Sequence, residues 1–270
     1  MACFSLESSM DWKLMGLFGC GSVLMRSAGC IVNDMWDRKI DQKIERTKDR
    51  PLASNALTRK QATGFLALNL SGSLAILAQL NTQSIKLGAS SLAFVLSYPL
   101  MKRITYWPQA FLGLTMNWGA LLGWTAVTGQ LGLVPLSLYA GGFFWTLVYD
   151  TIYAHQDIID DKRAGVKSTA IRFGDYSKMW MSSFSICSMV CFNAAGILNH
   201  QFWPYFFMTN LSILPLMWCI RRVDLKSPSD CLKKFKALQL VGVFVFLGIW
   251  LDESISNSIS RLFRDIPITI

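Results

Sequence analysis

Eight stretches of mostly apolar residues recur along the chain, at 12–32, 61–80, 84–100, 107–127, 131–150, 178–198, 202–220 and 235–251. Each approaches or reaches the ~20 residues that a helix needs to cross the hydrocarbon of a bilayer. In lipid the backbone polar groups must be satisfied internally, and a helix does this within one segment. With 52% of its 270 residues hydrophobic and 16% charged, the chain is too apolar for an ordinary soluble domain. The expected architecture is an all-α polytopic membrane helix bundle, one domain over 1–270, with about eight spans and a central cavity.

The net charge of +9 is unevenly distributed. If the segments alternate, loops 33–60, 101–106, 151–177 and 221–236 share one side and hold nearly all the Lys and Arg. The other side keeps Lys13, Lys86, Arg261 and Arg264, and both termini. This is the positive-inside pattern, with the loaded side facing cytoplasm or organelle matrix, and it argues against nucleic acid as the partner of these cations. The seven cysteines (3, 20, 30, 187, 191, 219 and 231) form no CxxC pair and lie mostly in apolar segments, as packing residues do. Residues 1–11 show no signal or Arg-rich transit segment.

The stretch GCIVNDMWDRKIDQKIERTKDRP, from Gly29 to Pro51, places acids at the mouth of an apolar segment. If the first helix continues through it, Asn33, Asp37 and Asp41 stack on one face, with Arg26 on that face and Asp34 beside it. Asp150, Asp157 and Asp161 repeat a helical spacing four spans later, with Asp160 beside them, as in tandem halves that each deliver an acidic helix end. Such rows repel unless a cation sits among them. Their hard oxygen ligands suit Mg²⁺, which takes one or two carboxylates and completes its shell with water and phosphate oxygens. The pattern therefore points to a phosphorylated ligand. Arg46, Arg50, Lys102, Arg103 and Lys167 flank the acids and suit the remaining phosphate oxygens. Arg26 lies inside a span, where a charge needs a partner, and an acid of the first row is expected. Aromatics near the second row, Tyr153 among them, suit an apolar tunnel or a developing carbocation. A lipid-tailed diphosphate satisfies both the charged and the apolar half.

These residues carry a family resemblance. MRSAGCIVNDMWDRKIDQKIERTKDRPLAS resembles the NDxxDxxxD signature of the UbiA-type intramembrane prenyltransferases, and YDTIYAHQDIIDDKRAGVKSTAIRFG resembles their second, DxxxD, at Asp157 and Asp161. YPLMKRITYWPQAFLGLTMNWGALLGW looks like the stretch between them. The likeness covers roughly 12–251, and its wording is closest to members acting on 4-hydroxybenzoate in mitochondrial ubiquinone synthesis. It implies that Asn33, Asp34, Asp37 and Asp41 hold one Mg²⁺, and that Asp157 and Asp161, with Asp160 and Asp150, hold a second. It implies catalytic roles for Asp37, Asp157, Asp161, Lys102 and Arg103. Asn33, Arg26, Arg46, Arg50, Tyr153 and Lys167 would bind substrate. The implied partners are a polyprenyl diphosphate, 4-hydroxybenzoate, the bilayer and other proteins of ubiquinone synthesis. The implied location is the mitochondrial inner membrane, with the acids on the matrix side.

The chain departs from the family pattern in three places. The first acidic motif follows the first span rather than the second, so the sequence is expected to lack one helix and a transit segment. Lys233 to Leu238 read KKFKAL where the family has a stretch shaped like NKFxSN, and Ile158 and Ile159 are apolar where relatives carry basics. Competing readings are an inactive truncated version, a prenyltransferase for another aromatic acceptor, and an ion-coupled transporter. The alternation of loops makes one prediction. Single cysteines placed in loops 33–60 and 151–177 of a cysteine-free chain should react with a membrane-impermeant thiol reagent from the same side of sealed vesicles; labelling from opposite sides would refute the topology.

Overall fold

A computed structural model describes residues 11–264, with side chains through residue 256. Among the described residues the chain is helical with no strand. Helix α1 runs Trp12–Asp41, α2 Arg59–Leu77, α3 Thr82–Ile104, α4 Pro108–Met116 and α5 Trp118–Thr128. Helix α6, Leu133–Ala154, leads through a 3₁₀ turn, His155–Asp157, into α7, Ile158–Ala164. Then come α8 (Thr169–Phe173), α9 (Ser177–Leu198), α10 (Trp203–Leu211), α11 (Ile213–Arg222), α12 (Pro228–Ala237) and α13 (Leu240–Arg264).

The helices begin where the sequence offers caps. Asp11 accepts from the Leu14 amide at 2.9 Å, Thr58 and Gln61 form a capping box on α2, and Asn81 accepts from the Ser84 amide at 2.9 Å. All eight apolar stretches are helical, but three are interrupted: 107–127 at Asn117, 202–220 at Ser212, and 235–251 between Ala237 and Leu240. Five helical segments are long and apolar enough to cross a membrane by length and composition alone: Trp12–Asp41, Thr82–Ile104, Pro108–Thr128, Thr169–Leu198 and Pro228–Ser256.

Helices α6 and α9 form the centre of the bundle. Gly141 makes this approach possible, because a Cβ there would collide with the Phe192 ring, and Ser188 Oγ donates to the Gly141 carbonyl at 2.8 Å. Small residues set close helix approach in membranes in this way. Gly142 similarly seats Asn117, whose amide donates to the Gly113 carbonyl and to Thr146 Oγ1 and so satisfies the break between α4 and α5. Leu147, Val148, Ile152, Met181, Leu216 and Ile220 fill the interior. Outward positions such as Phe65, Leu74, Val190 and Phe207 remain exposed, as lipid-facing side chains do.

The loaded loops gather at one end of the bundle. The Lys167 amide donates to the Lys102 carbonyl at 2.8 Å, and Lys178 Nζ donates to the Arg221 carbonyl at 3.2 Å. The sparse connections meet at the other end, where Asn81 reaches the Thr125 carbonyl at 2.8 Å. Cys3 lies outside the described residues; the other six cysteines are free.

At the sparse end, buried Asp252 of α13 accepts the backbone amides of Phe202 at 2.9 Å and Tyr205 at 3.4 Å, neutralising the positive end of α10. Asp252→Ala leaves these donors without that acceptor. It should destabilise the detergent-solubilised chain by about 1–2 kcal/mol, read as a lower thermal midpoint, while Asp252→Asn should retain most of the stability.

Candidate active site

Helix α1 continues past its apolar stretch, carrying Asn33, Asp34, Asp37 and Asp41 on its final turns. Arg38 and Lys39 in the last turn complement its negative end. Asp37 and Asp41 are buried. The segment after α1 folds back because α1 itself holds it. Arg38 Nε donates to the Leu52 carbonyl at 2.9 Å and its guanidinium meets Asn55, which takes a left-handed φ of 66°. Gln42 donates to the Ala53 carbonyl at 2.9 Å. This return places Arg50 between two acids of the first row, 2.8 Å from Asp34 and 3.3 Å from Asp41.

The second acidic stretch differs from the expected continuous row. Helix α6 ends at Ala154, and the 3₁₀ turn takes Asp157 off the helical line of Asp150. A buried polar chain accounts for the turn's fixed position. His155 Nδ1 donates to the Thr151 carbonyl at 2.8 Å, and Thr151 Oγ1 meets Thr169 Oγ1 at 2.8 Å. The Thr169 amide donates to Gln109 at 3.0 Å. Burial holds His155 below its usual range, so it is neutral. Its Nε2 lies 3.3 Å from Ser177 Oγ. Sequence reasoning missed this chain because its members come from four separate segments.

Arg46, from the segment after α1, reaches across to the turn. Its Nε lies 3.0 Å from both Asp157 oxygens, its terminal nitrogen is also on Asp157, and Nη1 donates to Tyr153 Oη at 2.9 Å. The guanidinium sits 5.0 Å from the Tyr153 ring centroid. Phe235, in the KKFKAL segment, packs on Tyr153 at 4.7 Å and on Tyr149 at 5.7 Å. Nothing in the sequence placed Phe235 there. Asp160 pairs loosely with Arg163 of its own helix, at 3.8 Å. The Asp161 carboxylate has no hydrogen bond or ion pair among the described residues. Burial, with the neighbouring Asp157 carboxylate, pushes its carboxyl up to about 7.

Lys102, at the end of α3, links the two stretches. Its ammonium lies 2.8 Å from Asp37 and 3.3 Å from Asn33, and within electrostatic reach of Asp150 and Asp161. The Tyr98 ring, which the sequence did not single out, lies 5.6 Å below it. Arg103 donates to the Trp36 carbonyl at 3.1 Å and Lys167 to that of Ile104 at 3.1 Å, so both brace the backbone around the site. Arg26 corrects an expectation. It makes no ion pair with the first row; its Nη1 meets Met116 Sδ at 3.7 Å, and Asp150 of the second row is the carboxylate within reach of its charge. Arg26 stays exposed on α1, several turns before the buried Asp37 that Lys102 holds.

Among the described residues, no three His, Cys, Asp or Glu side chains close on one point as a self-sufficient metal site. The eight expected ligands are instead spread along the charged end. Three features still fit a hard divalent cation. Buried Asp37 Oδ1 has no hydrogen-bond partner, and the carboxylates of Asp150 and Asp161 have none either among the described residues. Such a set suits an ion that takes one or two carboxylates per centre and phosphate oxygens for the rest.

Taken together, these contacts define an apolar helical bundle whose two acidic segments meet at one end through Arg46, with Lys102 beside them. The chain belongs to the UbiA prenyltransferase family, which it matches over residues 1–248. It is 53% identical over 252 residues to the mitochondrial 4-hydroxybenzoate polyprenyltransferase of Caenorhabditis elegans, covering 93% of this chain and 71% of that one. It is 52% identical over 245 residues to the protein of that name from Arabidopsis thaliana, covering 90% of this chain and 60% of that one. The fold matches the apo structure of a UbiA homolog from Aeropyrum pernix K1, with a TM-score of 0.78 at 24% identity, over 90% of this chain and 91% of that one. It also matches a UbiA homolog from Archaeoglobus fulgidus bound to DMAPP and Mg²⁺, with a TM-score of 0.69 at 17% identity, over 92% and 90%.

The titration of Asp161 has a measurable consequence. A proton on this carboxyl would compete with a cation bound there, and it leaves as pH rises through about 7. Apparent Mg²⁺ affinity of the purified chain, read from Mg²⁺-induced thermal shifts, should increase between about pH 6 and pH 8. Asp161→Asn should flatten that dependence.

Proposed function

We propose that the chain transfers a polyprenyl group from a polyprenyl diphosphate to the ring carbon ortho to the hydroxyl of 4-hydroxybenzoate, a step of ubiquinone synthesis. The reading places it in the mitochondrial inner membrane with the acidic end on the matrix side. The observation that carries it is the engagement of the two acidic segments through Arg46 on Asp157, with Lys102 on Asp37 beside it, at the charged end of an apolar bundle. Family membership and the names of relatives about half identical in sequence support the substrates.

Asn33, Asp34, Asp37 and Asp41 would hold one Mg²⁺, and Asp150, Asp157, Asp160 and Asp161 a second. When bound, Mg²⁺ supplies positive charge that stabilises the departing diphosphate. Arg46, Arg50 and Lys102 spend their charge on carboxylates in the free protein, so a diphosphate exchanges one set of anionic partners for another without recruiting new cations. The bond between C1 of the prenyl chain and the diphosphate oxygen breaks, its electron pair leaving with the oxygen. The ring carbon beside the phenol forms a bond to C1, and the ring proton is lost. Tyr98 and Tyr153 lie near the acids with Lys102 and Arg46 over their rings, and aromatic faces of this kind suit a developing allylic cation.

Membranes containing the chain, given 4-hydroxybenzoate, a polyprenyl diphosphate and Mg²⁺, should yield the 3-prenylated acid, and chelation should abolish it. At saturating Mg²⁺, Asp37→Ala and Asp157→Ala should each lower turnover about 100-fold or more, because tenfold in rate corresponds to ~1.4 kcal/mol and several kcal/mol of charge stabilisation depend on these sites. Exposed Lys226 touches nothing in the site, and Lys226→Ala should leave turnover unchanged. Full activity of Asp37→Ala in excess chelator would overturn the mechanism.

A further inference from the structure

The outer face of the bundle carries a second feature with its own chemistry. The break at Ser212 between α10 and α11, with Pro215 just beyond it, leaves a concave strip on this face. Two open grooves meet there at Ile213. One, about 550 Å³, runs toward the sparse end between Val190 and Ile197 of α9 and Asn210 of α10. The other, about 850 Å³, runs along Leu214 and Trp218 toward the charged end and closes at Arg221 and Arg222. Among the described residues, the side-chain amides in the track, Asn193 and Asn210, satisfy each other through reciprocal hydrogen bonds of 3.0 and 2.9 Å. Its polar content is thus compatible with hydrocarbon.

The charged end of the track holds a cationic cluster. Arg221 and Arg222 are exposed, and neither guanidinium has a hydrogen bond or ion pair among the described residues. Lys178 Nζ is held on the Arg221 carbonyl, and Lys234 Nζ sits 4.0 Å from the Trp218 ring centroid. The nearby acids are committed elsewhere. Asp230 accepts the Asp224 amide at 2.9 Å and lies 3.9 Å from Lys234, and Asp224 accepts the Lys226 amide at 3.0 Å. The positive-inside rule accounts for basic residues at this end. It does not account for two unpaired guanidinia at the mouth of a continuous apolar groove beside an interfacial Trp–Lys stack.

We propose that this track is a binding site for an anionic phospholipid of the surrounding bilayer. Its phosphate lies on Arg221 and Arg222, and its acyl chains lie along Trp218, Leu214, Ile213 and Val190. The planar guanidinium fork matches phosphate geometry, and each cation near the membrane surface adds to the attraction for anionic lipid. The lining of the track shares no residue with the acidic segments.

Titrating the purified chain with dioleoylphosphatidylglycerol, with native mass spectrometry counting bound lipid, tests this. The wild-type chain should bind one such lipid tightly and should not bind dioleoylphosphatidylcholine comparably. Arg221→Gln/Arg222→Gln should weaken the anionic lipid about 30-fold, the factor that two lost surface cations imply. Arg221→Lys/Arg222→Lys should retain part of the affinity. Arg59→Gln/Lys60→Gln removes the same charge from the same end of the bundle but away from the groove, and should leave binding unchanged. Equal losses in the two charge-removing variants would show a general surface potential and overturn the site. Unchanged binding in Arg221→Gln/Arg222→Gln, or equal binding of phosphatidylcholine, would overturn it as well.

Discussion

The cation–carboxylate contacts at the loaded end carry the organisation of this molecule. Asp34, Asp37, Asp41, Asp157 and Asp161 crowd one end of an apolar bundle, and Asp37 and Asp41 are buried there. Without countercharge the carboxylates would repel one another, and burial would raise the cost. Arg50 spans two acids of α1, Lys102 holds Asp37 and Asn33 from α3, and Arg46 ties the segment after α1 to the turn after α6. Arg46 thus ties the two acidic segments together, while Arg50 and Lys102 hold the acids of the first. Because buried pairs barely repay their desolvation, the arrangement contributes placement more than stability.

The rest of the bundle holds that arrangement at the right height. The close seat of Phe192 on Gly141 fixes α9 against α6, and the buried chain from His155 through Thr151 and Thr169 to Gln109 fixes the turn that presents Asp157. Loss of any of these contacts would leave the carboxylates chemically intact but displaced. The orphaned Asp37 oxygen and the unpaired Asp150 and Asp161 carboxylates show where the cations stop short of satisfying the acids. That residue of unmet charge is what a divalent cation with a phosphate ligand would complete.

Some of the site was legible in advance for a simple reason. Asn33, Asp37 and Asp41 lie on one regular helix, so their spacing alone put them on one face. The same logic failed for Asp150 and Asp157, because a 3₁₀ turn interrupts the helix after Ala154, and that turn depends on hydrogen bonds to residues far along the chain. Arg26 failed likewise. Its position inside a span implied a partner, but which acid lay within reach depended on how α1 rotates against α3 and α6. Arg46 and Arg50 were read as cations for phosphate, and the structure finds them on carboxylates, an equally good anion when no phosphate competes.

The sequence by itself determined the helical class, the positions of the apolar segments and the sorting of loops by charge. Each of these follows from local composition and from the cost of leaving backbone or charge unsatisfied in hydrocarbon. It also exposed both acidic segments, since clustered carboxylates at helix ends demand a cation. Only the tertiary structure decided which cation meets which carboxylate, where α6 breaks, that Phe235 closes over Tyr153, and that Arg221 and Arg222 end a groove rather than an ion pair. Those outcomes depend on crossing geometry between helices, set by contacts such as Phe192 on Gly141 that join residues dozens of positions apart.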